Sequence, residues 1–114
     1  MSKPVVEAQN LTKSCNEALI LACLTDGPKH GYQLALEIEQ RSEGAFKFNH
    51  GTLYPILHKL EKEGLIEGRW SNEGQKRKRK SYTITRKGAE YAREQRFAWR
   101  IFIDRFLDLV GGQQ

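Results

Sequence analysis

The sequence predicts an α+β, mostly helical fold: a winged helix-turn-helix with an extra C-terminal dimerisation helix. Three observations carry that expectation. Four stretches have helical hydrophobic patterning, and two β-prone runs, 65–70 and 78–84, lie between the third and the fourth. Ser71-Asn72-Glu73-Gly74-Gln75 between those runs is turn chemistry, which makes them a hairpin. The chain has 114 residues, 39% hydrophobic and 29% charged, the size and balance of one globular domain.

Residues 1–13 have no clear periodicity and read as an arm or a frayed helical extension. Ser14 and Glu17 have capping-box spacing ahead of a helix from about Cys15 to Leu24 that is apolar nearly all round. Thr25-Asp26-Gly27-Pro28 ends it. A second helix, from about Gly31 to Arg41, turns Leu34, Ala35 and Ile38 inward and stops at Ser42-Glu43-Gly44. Ala45 to Phe48 alternates, as a short strand would.

In the third helix Leu53, Ile56, Leu57 and Leu60 form the buried stripe. Pro55 has no N–H, which is harmless only in a first turn, so the helix is expected to start between Asn49 and Thr52, with one of them as cap. It ends at Glu63-Gly64 and leaves Gly51, Pro55, His58, Lys59 and Lys62 away from the core. Ile66, Trp70, Tyr82 and Ile84 are the expected anchors of the hairpin, and Thr85 caps a last helix reaching about Val110. The organisation is therefore arm 1–13, winged helix-turn-helix 14–84, C-terminal dimerisation helix 85–110 and tail 111–114.

Lys and Arg number 19 against 14 Asp and Glu, a net charge of +5, which favours polyanionic partners. No stretch approaches the roughly 20 apolar residues of a membrane span. The first residues lack the apolar core of a secretory signal, so the expected compartment is the cytoplasm. Cys15 and Cys23, about 12 Å apart along a helix, cannot bond to each other. No metal-ligand spacing, phosphate-cradling glycine loop or oriented nucleophile occurs, so neither cofactor, metal nor enzymatic activity is expected.

Lys76, Arg77, Lys78, Arg79 and Lys80 are five consecutive cations on the hairpin. With Lys59 and Lys62 on the third helix they suit phosphate contacts, which release counterions and give sequence-independent affinity. Gly27 to Tyr32 either offers a phosphate site, with His30 and Tyr32 beside the N–H groups of the second helix, or is a turn whose side chains pack. Bases are read by the N-terminal part of a recognition helix, where Asn49, His50, Thr52, Tyr54 and His58 stand. Tyr54 is expected to pack in part. These residues describe a double-stranded DNA reader; the alternative is a winged-helix module for RNA or a protein partner without operator specificity.

The segments 27–32, 51–66 and 79–85, above all Leu53-Tyr54-Pro55 and Leu60-Glu61-Lys62-Glu63-Gly64-Leu65-Ile66, resemble the PadR family of transcriptional regulators. The resemblance covers about Glu17 to Val110, on the compact branch with a single C-terminal helix. It implies a repressor that dimerises through that helix, binds an inverted-repeat operator and leaves it on an inducing signal. The wing departs from the family's glycine-rich pattern by its added cations.

The last helix has a wide apolar arc that includes Tyr91, Ala92, Ala98 and Leu107. A homodimer would cover it, with Leu19, Cys23, Trp99, Phe102, Ile103, Phe106, Leu109 and Val110 at the interface. The single-chain alternative folds the arc back on its own domain, and Phe97 and Ile101 are expected to touch the first helix. Trp99 is either filler of the dimer core or, as the resemblance implies, the wall of a pore for a planar aromatic small molecule.

Overall fold

The computed structural model describes residues 11–71 and 79–111. In chain order its elements are α1 (Leu11–Leu24), β1 (Lys29–His30), α2 (Gly31–Arg41), α3 (His50–Lys62), β2 (Ile66–Ser71), β3 (Arg79–Ile84) and α4 (Arg86–Leu109). The strands form one antiparallel sheet in the order β1-β3-β2. Three helices pack with the sheet, the hairpin β2–β3 is the wing, and α4 follows it. This is the winged helix-turn-helix with an added C-terminal helix that the sequence predicts.

The core explains why α1 is apolar on so many sides. Ile20, Leu21 and Leu24 meet Leu34 and Ile38 of α2, Leu53, Leu57 and Leu60 of α3, and Leu65, Ile66 and Tyr82 of the wing base in one cluster. A helix at the centre of such a cluster has little surface left for polar residues.

The capping box expected at Ser14 does not form. α1 already includes Leu11, so Ser14 lies inside it. The Ser14 hydroxyl donates to Gln95 Oε1 of α4 at 3.1 Å, and Glu17 is buried against Lys59 of α3 at 2.6 Å. Both side chains are taken by tertiary partners in place of the local backbone.

The strand expected at Ala45–Phe48 is also absent. Glu43 and Gly44 both have positive φ, 53° and 84°. Ser42 then accepts from Ala45 N–H through its carbonyl and from Phe46 N–H through its hydroxyl. The backbone groups that a strand would need are used in this turn. The third strand is instead Lys29–His30, pairing with Tyr82 and Ser81.

Asn49 caps α3, its Oδ1 accepting from Thr52 N–H at 2.9 Å. Pro55 consequently falls in the second turn, one turn later than the spacing predicts, and offers no donor to the carbonyl of exposed Gly51, which water can serve. Thr85 caps α4 as expected, accepting from Gly88 N–H at 3.0 Å while its hydroxyl donates to the Gly64 carbonyl at 2.7 Å. A side chain at Gly88 would run into the Leu65 carbonyl, so the first turn of α4 sits directly on the base of the wing.

α4 divides its arc between two environments. Tyr91 and Ala92 pack on the core cluster, and Ala98 is buried. The chain thus covers the first half of the arc itself. Ile103, Phe106, Leu107, Leu109 and Val110 are exposed, as is Phe97.

Candidate nucleic-acid interface

Three elements are joined in pairs: the start of α2, α3 and the wing. Glycine makes the first junction possible. A Cβ on Gly31 would stand 3.0 Å from Cε1 and Oη of Tyr54, so the tyrosine ring lies on the backbone at the start of α2. The His50 ring stacks on Tyr54, 5.7 Å between centroids and 5° between planes. Tyr54 is therefore partly packed, as expected, and holds His50 in a fixed orientation.

The second junction joins α2 to the wing. His30 pairs with Ser81 of β3, and its Nδ1 lies 3.3 Å from the Lys80 carbonyl. Its backbone N–H donates to Gln33 Oε1 at 2.8 Å. Of the two readings of this turn, the His30 ring fits the packed one, whereas Tyr32 is exposed.

The third junction joins α3 to the wing through Lys80. Its ammonium donates to Glu61 Oε1 at 3.0 Å and lies 5.4 Å from the centroid of Tyr82 and 5.6 Å from that of Trp70. The Lys80 stem crosses Gly68, where a Cβ would make its end shift.

Among the described residues, the candidate base-reading side chains Asn49, His50, Thr52 and His58 are all exposed on or just before α3. The candidate phosphate contacts are not equivalent. Lys62 and Arg79 are exposed, but Lys59 and Lys80 are held by carboxylates of this chain. Lys76, Arg77 and Lys78 lie outside the described residues.

Lys59 donates to Glu17 at 2.6 Å and pairs with Glu63 at 3.4 Å. Desolvation pulls its pKa down, but the hydrogen bond and charge of Glu17, and then the charge of Glu63, outweigh it and leave the amine above its ordinary value. Sequence reading missed Glu17 and Glu61 as partners because neither is near its lysine in the chain. It also placed Trp70 among the anchors of the wing, whereas Tyr82 is 1% exposed and Trp70 65%. The one legible signal was register: Trp70 lies opposite Lys80, at the far end of the strand from Ile66.

Of the candidate interface residues on α1, Leu19 packs on the core cluster and Cys23 is buried inside it. Cys23 therefore offers no surface to a second chain. Burial first, and then the charge of Glu37, pushes its thiol pKa up. Trp99 meets Phe102 edge to face at 5.5 Å, and its Nε1 is buried with no acceptor among the described residues. No metal-binding group of His, Cys, Asp or Glu occurs among the described residues, and no described helix is long and apolar enough to cross a membrane.

Residues 20–94 match the transcriptional regulator PadR-like family. A protein of Lysinibacillus sphaericus is 30% identical over 95 residues, covering 81% of this chain and 87% of its own. The crystal structure of a PadR family transcriptional regulator from Eggerthella lenta superposes with a TM-score of 0.77 at 28% identity, over 90% of this chain and 88% of that one. Bacillus subtilis PadR in complex with operator DNA superposes with a TM-score of 0.65 at 29% identity, over 70% of this chain. The chain spans 45% of the length of PadR in that complex.

Proposed function

Because this chain belongs to the PadR-like family of transcriptional regulators, which are not enzymes, we propose that it is a ligand-responsive repressor. In this reading it binds an inverted-repeat operator in double-stranded DNA as a homodimer, in the cytoplasm. The observation that carries the proposal is one helix, α3, that exposes polar side chains at its Asn49-capped start and is tied near its other end to the basic wing by the Glu61–Lys80 pair. A recognition helix needs both parts: base contacts that select and phosphate contacts that hold. The operator complex of Bacillus subtilis PadR supports the same use of this fold.

Footprinting on DNA next to the gene tests it. Protection of a short inverted repeat is the expected result, and uniform binding to any polyanion would leave a general RNA- or protein-binding winged helix. Thr52→Ala and His58→Ala should each lower the preference for operator over random duplex by about 1–3 kcal/mol where the side chain reads a base. If preference survives both changes, selection rests on Asn49 or His50.

The exposed half of α4 supports the dimer. Phe106 is 53% exposed and Leu109 87%, on a helix whose other half is already covered. A second copy that buries this strip would set two recognition helices on half-sites about 34 Å apart. Phe106→Asp puts an unpaired charge in that seam and should yield monomers in a sizing run. An unchanged dimer would move the seam elsewhere.

Trp99 is the proposed wall of the effector site for a planar aromatic molecule. Its edge-to-face packing with Phe102, next to the exposed strip that begins at Ile103, supports this. Trp99→Ala should remain folded, dimeric and operator-bound but no longer release DNA when aromatic compounds are added. A loss of roughly 3–5 kcal/mol of stability, together with no aromatic compound releasing DNA from the wild type, would make Trp99 core filler.

A further inference from the structure

We infer that Trp70 is a DNA-contacting residue of the wing, an apolar platform held ready by Lys80 for the deoxyribose of the strand running between α3 and the wing. The inference rests on the DNA-binding reading above and adds to it a contact that carries no charge.

Register places the indole. Ile66, Gly68 and Trp70 of β2 stand opposite Ile84, Tyr82 and Lys80 of β3, and alternate residues share one face of a strand. Ile66 and Tyr82 are buried, so this is the face turned toward the helices. Trp70 lies on the same face but beyond the end of the core, in the corner between the wing and α3. It is 65% exposed there.

An isolated exposed aromatic is ordinary on a protein surface. This one is mounted. The Lys80 ammonium sits 5.6 Å from the Trp70 centroid, is tied to Glu61 of α3 at 3.0 Å, and is reached across a glycine that has no side chain to block the path. Lys80 is consequently committed to Glu61 and to two rings, and its role is to position the indole relative to α3. A flat apolar ring fixed at the edge of a basic surface can pack on the deoxyribose of a duplex strand, a contact that carries no sequence information.

The surroundings favour a polyanion as occupant. Exposed Arg79, opposite Ser71, stands on the other face of the same strand end, and Lys76, Arg77 and Lys78 precede it in the sequence. A duplex with α3 in its major groove and the wing on its backbone brings one strand past this corner.

The test uses the full chain and a fluorescein-labelled duplex of random sequence, titrated over a range of salt. Trp70→Ala should weaken binding about tenfold on every duplex through lost apolar contact, with an unchanged salt slope because no cation is removed. Trp70→Phe should keep most of the affinity, and Arg79→Ala should lower the slope by about one. In a Trp99→Phe background Trp70 is the remaining tryptophan, and duplex should quench its emission.

Wild-type affinity in Trp70→Ala, with no quenching, would overturn the inference and leave Trp70 for a protein partner. A reduced slope in Trp70→Ala would overturn it too, since the weakening would then come from displaced Lys80 charge. A wild type that binds no duplex at low salt would overturn the DNA-binding reading itself.

Discussion

Changing Lys76, Arg77, Lys78 and Arg79 together to alanine is expected to weaken binding to all duplexes alike, by roughly a hundredfold at moderate salt. Phosphate contacts carry no sequence information, so affinity for operator and random DNA should fall by similar factors. From Ile66 to Gly88 the chain has eight basic residues and two acidic ones, and this run holds half of the basic set. The slope of log affinity against log salt should drop by about 0.9 for each phosphate that the wing no longer neutralises. An unchanged slope would remove the wing from the interface. A fall in operator preference without a change of slope would give the wing a base-reading role instead.

Lys59→Met is expected to lower folding stability by about 3 kcal/mol, near the low end for breaking a buried ion pair. The reason lies with the partner. The Glu17 side chain is 7% exposed, so removing Lys59 strands a carboxylate away from water, whereas Lys59 itself is 37% exposed. Thermal unfolding should shift down by roughly 12 °C. Glu17→Gln combined with Lys59→Met should recover much of the stability, because it removes the stranded charge. A pure phosphate contact would behave otherwise: the salt slope of DNA binding would fall and the melting curve would not move.

The same pair has a signed pH dependence. The folded pKa of Lys59 lies above its ordinary 10.5, so its contribution to stability is complete below that value. It is lost as pH rises past 10.5 and through the raised pKa. Lys59→Met should therefore flatten the alkaline limb of the stability profile.

What could be read in the chain was set by neighbours in sequence. The bounds of α2, the Asn49 cap and the Thr85 cap depend on residues within one turn, and local patterning and hydrogen bonding specify them. The buried stripe of α3 follows from its 3.6-residue period. The exposed polar face at the start of α3 was legible too, because it follows from the positions of Leu53, Leu57 and Leu60.

The availability of its charges was decided only in the tertiary structure. Lys59 meets Glu17 across 42 residues of sequence, and Lys80 meets Glu61 across 19. The sequence presents all these lysines as equal candidates for phosphate, yet these two serve as braces between elements. Ser14 and Glu17 show the same effect at the start of α1, where a local cap gives way to Gln95 and Lys59. Trp70 was misplaced for a related reason. Alternation along β2 tells which face the indole shares, but only the packed helices show where that face leaves the core. Local patterns specify periodicity and caps, whereas ion pairs and burial depend on through-space distances that exist only after the helices and the wing have packed together.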